Sequence, residues 1–275
     1  MSDPALLQAT RAFSPEHEGG PAPIAQEQQP AVREQPARAR QVSVQEGYRL
    51  WAATYDDDPN PLLALEERYL TPLLPSLRSK DMLDAGCGTG RWLRRFASAG
   101  AGTTTGVDFS SAMLGQAARC LADCGSGFEP AVHTAPWLIR GDCLALPVRS
   151  QTADLVMCSL TIGHLAGIEP LAREFSRVAR PGADVFVTDM HPRAQALGWR
   201  CGFRCHDGSI EVETWLHTEE EVRESFESAG FSLVEMRTLY IGEPERPIFS
   251  RAGKESMFDA ACAVPAVLLC HFRLI

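Results

Sequence analysis

Within Leu83-Asp84-Ala85-Gly86-Cys87-Gly88-Thr89-Gly90, three glycines stand at alternate positions behind a short apolar run that ends in an acid. Each glycine forfeits side-chain contacts and adds backbone entropy to the cost of folding, so the run is neither a packed strand nor a stable helix. A helical pattern, Arg91 to Ala99, follows. The combination reads as strand, tight turn and helix N-terminus, built so that backbone N–H groups touch a ligand directly. A dinucleotide fingerprint places its third glycine three residues after its second, whereas Gly90 follows Gly88 by two. Asp108 stands eighteen residues beyond Gly90, just after the β-branched run Thr103 to Val107. An acid at that tip is positioned to accept from both hydroxyls of a ribose, and equally to cap the next helix. Gly141-Asp142-Cys143 follows another strand pattern, Trp137 to Arg140. A carboxylate there accepts from an exocyclic amine such as N6 of adenine, or closes a turn beside glycine.

Such groups need a scaffold that brings strand ends together. Met82 to Ala85, Thr103 to Val107, Trp137 to Arg140, Asp154 to Leu160, Ala183 to Met190, Phe231 to Ile241 and Ala263 to Leu274 read as strands. Helical patterns separate them. One is capped by Ser110, with Met113, Ala117 and Leu121 inward. Another, Glu169 to Ala179, aligns Leu171, Phe175 and Val178 and stops at Arg180-Pro181-Gly182. A third opens on the capping box Thr218-Glu219-Glu220-Glu221 and closes at Gly230. The alternation predicts an α/β fold: a doubly wound, mostly parallel sheet of seven strands. In such sheets ligands sit beyond the carboxyl ends of the strands, near the switch in strand order.

Upstream, Tyr48, Trp51 and Tyr55 recur as on one helix face, and Pro61 starts a helix carrying Leu62, Leu63, Leu65 and Leu70. Residues 1–43, rich in Pro, Ala, Gln and Glu, read as a disordered extension. The expected domain is 44–275: a helical segment at 44–80, the ligand-binding core at 81–190, an insertion after the fifth strand at 191–216, and the rest of the sheet at 217–275. Trp199, Phe203 and Trp215 mark the insertion.

Net charge is −9, and Lys80 and Lys254 are the two lysines. No basic stripe is available to neutralise a polyphosphate, which argues for a small or neutral partner and against nucleic acid. No apolar run approaches the roughly 20 residues of a membrane span. The N-terminus lacks a basic-then-apolar leader, so a cytoplasmic address is expected. Nine cysteines, an odd number, read as reduced thiols in that compartment. Cys120 and Cys124 share a helix face, while Cys201, Cys205 and His206 either ligate a soft metal or lie idle; no metal is predicted.

Five features fall in order over Asp84 to Gly182: the glycine turn, Asp108, Gly141-Asp142, the strand end Ser159 to His164, and Arg180-Pro181-Gly182. Together they resemble the class I S-adenosylmethionine (SAM)-dependent methyltransferase domain, in the broad type 11 group of ubiquinone/menaquinone-type and small-molecule enzymes. Val178-Ala179-Arg180-Pro181-Gly182 is similar to the family's Arg-Val-Leu-Arg-Pro-Gly-Gly turn and departs from it at Ala183. Ala52-Ala53-Thr54-Tyr55-Asp56 is similar to the Ala-x-x-Tyr-Asp segment that precedes many of these domains. The resemblance implies a Rossmann-like sheet and SAM as cofactor. Its implied cofactor contacts are Tyr55, Asp84, Gly86, Cys87, Gly88, Gly90, Asp108, Phe109, Met113, Gly141, Asp142, Cys143, Ser159 and Leu160. It also implies a helical lid in which Tyr48, Trp51 and Tyr55 meet the sulfonium. Ser159-Leu160-Thr161-Ile162-Gly163-His164 lacks the Asn/Asp-Pro-Pro-aromatic motif of enzymes that methylate nucleobases or glutamine amides.

Transfer from a sulfonium needs in-line alignment and exclusion of water more than it needs a catalytic residue. Where the acceptor must lose a proton, His164 and His191 are the candidate bases, with His133 and His217 weaker. The expected function is methyl transfer to a small molecule, at oxygen first, then nitrogen or carbon, beneath the 191–216 insertion as substrate cover. Other readings are a SAM-binding partner module without transfer, a nicotinamide-dependent oxidoreductase, against which the glycine spacing argues, and a metalloid methyltransferase using Cys201 and Cys205.

Overall fold

The computed structural model describes residues 39–124, 135–206 and 208–275; His133 and the Cys124 side chain lie outside this range. In chain order the elements begin with β1 (Arg40–Val42), α1 (Val44–Trp51), α2 (Pro61–Leu70), β2 (Met82–Ala85), α3 (Arg91–Ser98), β3 (Thr104–Asp108), α4 (Ser111–Cys124), β4 (Trp137–Arg140) and β5 (Ala153–Ser159). They continue through α5 (Glu169–Val178), β6 (Ala179–Met190), α6 (Pro192–Ala196), β7 (Gly202–Cys205), β8 (Gly208–Val212), α7 (Glu219–Ser228), β9 (Phe231–Tyr240), α8 (Arg246–Arg251), α9 (Phe258–Cys262) and β10 (Pro265–Leu274).

Seven strands form one sheet in the order β4-β3-β2-β5-β6-β10-β9. The pairs from β4 through β6 are parallel, and β10 runs antiparallel to both β6 and β9. Strand order reverses between β2, which continues to β3 on one side, and β5 on its other side. All four residues of β2 are buried, as expected of a strand covered on both faces. One face is packed by α5 and α7, through Leu171, Phe175, Val178, Val222 and Phe226. The other is packed by α2 and α3, through Leu62, Leu65, Trp92 and Phe96. Each such side chain contributes about 1.5–3 kcal/mol by leaving water.

Three features depart from the sequence reading. Arg40–Val42, inside the stretch expected to be disordered, is a strand that pairs in parallel with β8. The insertion is not a plain loop: β7 and β8 form a hairpin, and with β1 they make a second, three-stranded sheet. The strand after α5 begins at Ala179, so Arg180-Pro181-Gly182 lies within β6 beside a register shift against β5. Gly182 takes φ +80°, which explains how the ladder absorbs the turn expected there.

The small sheet carries its own core. Trp51, Phe203, Ile210 and Val212 form a cluster separate from the two that flank the main sheet. Trp51 stacks on Phe203 with centroids 4.8 Å apart, and its indole N–H donates to Asp58 Oδ2 at 2.7 Å. A Cβ at Gly47 would sit 2.6 Å from Val212 Cγ2, so glycine lets α1 lie close on β8. Hydrogen bonds anchor the unit to the main sheet, among them two to the turns that follow β2 and β5. Thr89 Oγ1 in the glycine turn donates to Asp56 Oδ1 at 2.8 Å, and Trp215 N donates to Gly163 O at 2.7 Å.

Candidate active site

The glycine turn leaves β2 at its carboxyl end. Gly86 has φ +79°, and a Cβ there would come within 2.4 Å of Thr161 Oγ1, so the site tolerates no side chain. Gly88 has φ +53°, but a Cβ on it would meet nothing within 4 Å; it borders open space. The expectation of amides aimed at a ligand needs correcting. Gly86 N and Cys87 N both donate to Val107 O, Gly90 N donates to Cys87 O, and Gly88 N donates to Asp108 Oδ2 at 2.9 Å. Three of these N–H groups hold the turn against β3 and the fourth closes the turn on itself, and what the glycines supply is clearance.

Asp108 ends β3. Its Oδ1 accepts from Ser110 N at 2.8 Å, so one carboxyl fixes both the glycine turn and the entry to α4. Burial pushes its pKa upward, against those two bonds. Asp142, beyond β4, accepts from Leu144 N at 2.8 Å and forms a turn.

A cavity of about 450 Å³ opens over these strand ends. Tyr55, Gly86, Gly88, Asp108, Phe109, Met113, Asp142, Cys143, Ser159 and Leu160 line it, and so do Tyr48 and His164. Asp84, Cys87, Gly90 and Gly141 stand behind the lining. Cys87 and Cys143 are buried thiols with pKa values pushed up by desolvation, so both are protonated. Asp84 is 1% exposed, its Oδ1 has no protein partner, and burial raises its pKa to about 8.

Residues 82–182 match the family model described as a methyltransferase domain. A demethylmenaquinone methyltransferase from Lactiplantibacillus plantarum is 33% identical over 181 residues, covering 58% of this chain and 74% of that protein. The chain belongs to the class I SAM-dependent methyltransferases. A SAM-dependent methyltransferase from Mesorhizobium loti shares the fold with TM-score 0.59 and 19% identity, over 78% of this chain and all of the other. The match spans 24% of a Haemophilus influenzae protein and 26% of a biotin biosynthesis bifunctional protein from Cellvibrio japonicus, about a quarter of each. Family membership displaces the nicotinamide reading and makes SAM the cofactor. Among the described residues no helix is long and apolar enough to cross a membrane.

In this methyltransferase a second, smaller cavity of about 60 Å³ lies over the ends of β5 and β6. Tyr48, Tyr55, Leu160 and His164 line both cavities and form the wall between them. Leu160 takes φ +51°, a left-handed conformation that is strained for a residue with a side chain and is found where surrounding structure enforces it. His164 follows in a single tight turn, Ile162–His164. Its Nδ1 lies 3.2 Å from Glu213 O and its Nε2 2.7 Å from Tyr48 Oη. The carbonyl can only accept, which assigns the proton to Nδ1; Tyr48 therefore donates to Nε2. Burial lowers the His164 pKa, keeping the imidazole neutral.

His191 lines neither cavity. Its Nδ1 accepts from Arg193 N at 3.1 Å, capping α6, and its Nε2 meets Glu219 Oε1 at 2.9 Å. Both nitrogens are engaged in holding structure. His217 donates Nε2–H to Leu165 O. The cysteine cluster does not converge: Cys201 lines the smaller cavity, Cys205 is exposed with its thiol on Gly208 O, and no metal-binding group of three forms among the described residues.

Two acids escaped the sequence reading as site residues. Glu66 on α2 is 0% exposed. It pairs with Arg91, and its Oε1 accepts from Ser159 Oγ at 2.6 Å and from Thr188 Oγ1. Asp189, the penultimate residue of β6, lines the smaller cavity, accepting from Gly163 N at 2.7 Å and Met190 N at 2.6 Å. The consecutive Glu66-Glu67-Arg68 of α2 gave no signal that Glu66 is the one turned inward; the strand-end position of Asp189 did.

Proposed function

We propose that this chain transfers the methyl group of SAM to a small-molecule acceptor, with the cofactor in the larger cavity and the reacting end of the acceptor in the smaller. The observation that carries it is the shared wall of Tyr48, Tyr55, Leu160 and His164. Two adjoining compartments that share one wall are what in-line displacement requires once the side chains of that wall part for the methyl group. Bound SAM supplies a methyl group on a cationic sulfur, already activated for attack.

The chain's own residues hold, orient and exclude water. Asp108 and Asp142 offer carboxylate oxygens to the adenosine, and the side-chain-free surface at Gly88 leaves it room. Asp84 offers a buried, unpartnered acceptor to a cationic group. Tyr48 and Tyr55 present aromatic rings to positive charge, worth about 0.5–2 kcal/mol. Proton removal runs through Tyr48 and His164. As the Tyr48 hydroxyl oxygen takes the acceptor's proton, it passes its own to His164 Nε2, and the imidazolium keeps Nδ1–H on Glu213 O. Tyr48 never becomes a free phenolate, consistent with a pKa raised well above normal by burial.

Calorimetry with SAM and with its demethylated product, followed by labelled-SAM transfer to a panel of amines, phenols and acids, tests the assignment. Asp108→Ala should weaken SAM binding at least tenfold. His164→Ala should leave binding intact and lower kcat by about 10²–10⁴-fold. Binding without transfer to any acceptor would instead identify a partner module; no binding would end the reading.

A further inference from the structure

The smaller cavity contains a carboxylate that no lysine or arginine among the described residues pairs with. Among the described residues Asp189 is the one carboxylate lining it, and no lysine or arginine lines it. The two hydrogen bonds Asp189 accepts are both from backbone amides, Gly163 and Met190. Asp189 is half-buried, and among the described residues no arginine or lysine forms an ion pair with it, whereas the fully buried Glu66 and Glu245 each have one. A carboxylate removed from water is costly unless paired.

Four aromatic rings, those of Tyr48, Trp51, Tyr55 and Trp199, line the same small space. Their faces attract cations and give nothing to anions. A carboxylate and an aromatic box together select for an ammonium head group, and the lack of a lysine or arginine among the described lining residues, with His164 held neutral by burial, disfavours carboxylate or phosphate acceptors. The cavity's size, about 60 Å³, fits a head group.

We infer that the methyl acceptor is a small primary or secondary amine, anchored as its ammonium by Asp189 inside the ring of Tyr48, Trp51, Tyr55 and Trp199. The inference rests on the two-cavity transfer proposed above. Nitrogen thereby moves ahead of the oxygen that the sequence reading placed first. The ammonium gives one proton to the Tyr48 oxygen as the Tyr48 proton passes to His164 Nε2. The freed nitrogen lone pair then forms the N–C bond while the C–S bond of the cofactor breaks. That bond's electron pair stays on sulfur, leaving neutral S-adenosylhomocysteine and a methylated ammonium held by Asp189. Asp189 also accepts from Gly163 N, next to His164, so the anchor and the proton acceptor are set by one turn.

Three isosteric probes decide the matter: an amine, an alcohol and a carboxylate on the same skeleton. Propylamine, 1-propanol and butyrate form one set, and benzylamine, benzyl alcohol and phenylacetate another. Binding is measured on the full chain saturated with S-adenosylhomocysteine. The amine should bind about tenfold to hundredfold tighter than the alcohol, with the carboxylate weakest. Asp189→Asn should reduce the amine-to-alcohol ratio to about threefold or less and leave the affinity for S-adenosylhomocysteine unchanged. A wild-type ranking with alcohol or carboxylate first overturns the inference without any variant. So does an amine preference that survives Asp189→Asn, or failure of both amines to bind the saturated protein. Failure of S-adenosylhomocysteine itself to bind would instead fault the underlying methyl-transfer reading.

Discussion

Asp84 holds a carboxyl that folding buries before any ligand arrives. Desolvation pushes its pKa up to about 8, Arg91 opposing and the Glu66 and Asp108 carboxylates adding to the rise. Its unfolded value is about 3.9. Between those two values the folded chain binds more protons than the unfolded chain, so stability falls as pH rises through that window. Asp84→Asn cannot ionise. The ligand-free variant should therefore lose less stability between pH 6 and 9 than the parent, read from urea midpoints at each pH. Above pH 8, where the parent carboxyl is ionised, SAM should bind the variant at least tenfold more weakly, because the acceptor is then neutral. Equal pH slopes for variant and parent would show that the buried acid is already compensated. The placement of Asp108 and Asp142 at strand tips was legible, since β-branched runs set where a strand must end. Glu66 was not. It sits in Leu65-Glu66-Glu67 on an amphipathic helix, where nothing local distinguishes the glutamate that turns inward from its neighbour. That choice is made by Arg91, Ser159 and Thr188, 25 to 122 residues away.

At the scale of elements, that same glutamate joins α2 to α3, β5 and β6. Arg95 pairs with Glu67 along the same seam. Removing one partner of a buried pair costs about 3–5 kcal/mol, because the other charge stays behind uncompensated. Glu66→Leu should lower the unfolding free energy by about that amount. Glu66→Leu combined with Arg91→Leu should recover much of it, and chemical denaturation of the four-member cycle reads the coupling directly. An additive cycle would mean that Ser159 and Thr188, not the ion pair, hold Glu66. The strands of the main sheet could be read to within a few residues, and Met82–Ala85 to the residue, because a strand covered on both faces demands a continuous apolar run. The edge strand Trp137–Arg140 could also be read to the residue, from its flanking turn residues. The small sheet could not. β1 pairs Arg40 with Ile210 across 170 residues, and a three-residue strand carries no period of its own. Arg180-Pro181-Gly182 misled in the opposite sense, since a glycine at φ +80° lets an apparent turn continue as a strand.

Over the whole molecule, the two clusters flanking the main sheet are joined through its strands, whereas the Trp51, Phe203, Ile210 and Val212 cluster stands apart. A unit with its own small core opens at lower free energy than the sheet it covers. Here that unit carries Tyr48 and Tyr55 over the larger cavity, so a ligand lodged beneath it leaves when it opens. Phe203 lines neither cavity yet stacks on Trp51, which makes it the means of loosening the cover without touching the site. Phe203→Ala removes a buried aromatic, a change worth about 3–5 kcal/mol where the surroundings cannot collapse. That loss should fall on the small unit alone. Amide exchange should accelerate in residues 40–58 and 199–216 while β2, β5 and β6 stay protected. S-adenosylhomocysteine should dissociate faster from the variant, with the Asp108-dependent part of its affinity retained. Uniform acceleration of exchange across both sheets would mean that cover and sheet melt as one, and that ligand release does not depend on separate opening of the cover.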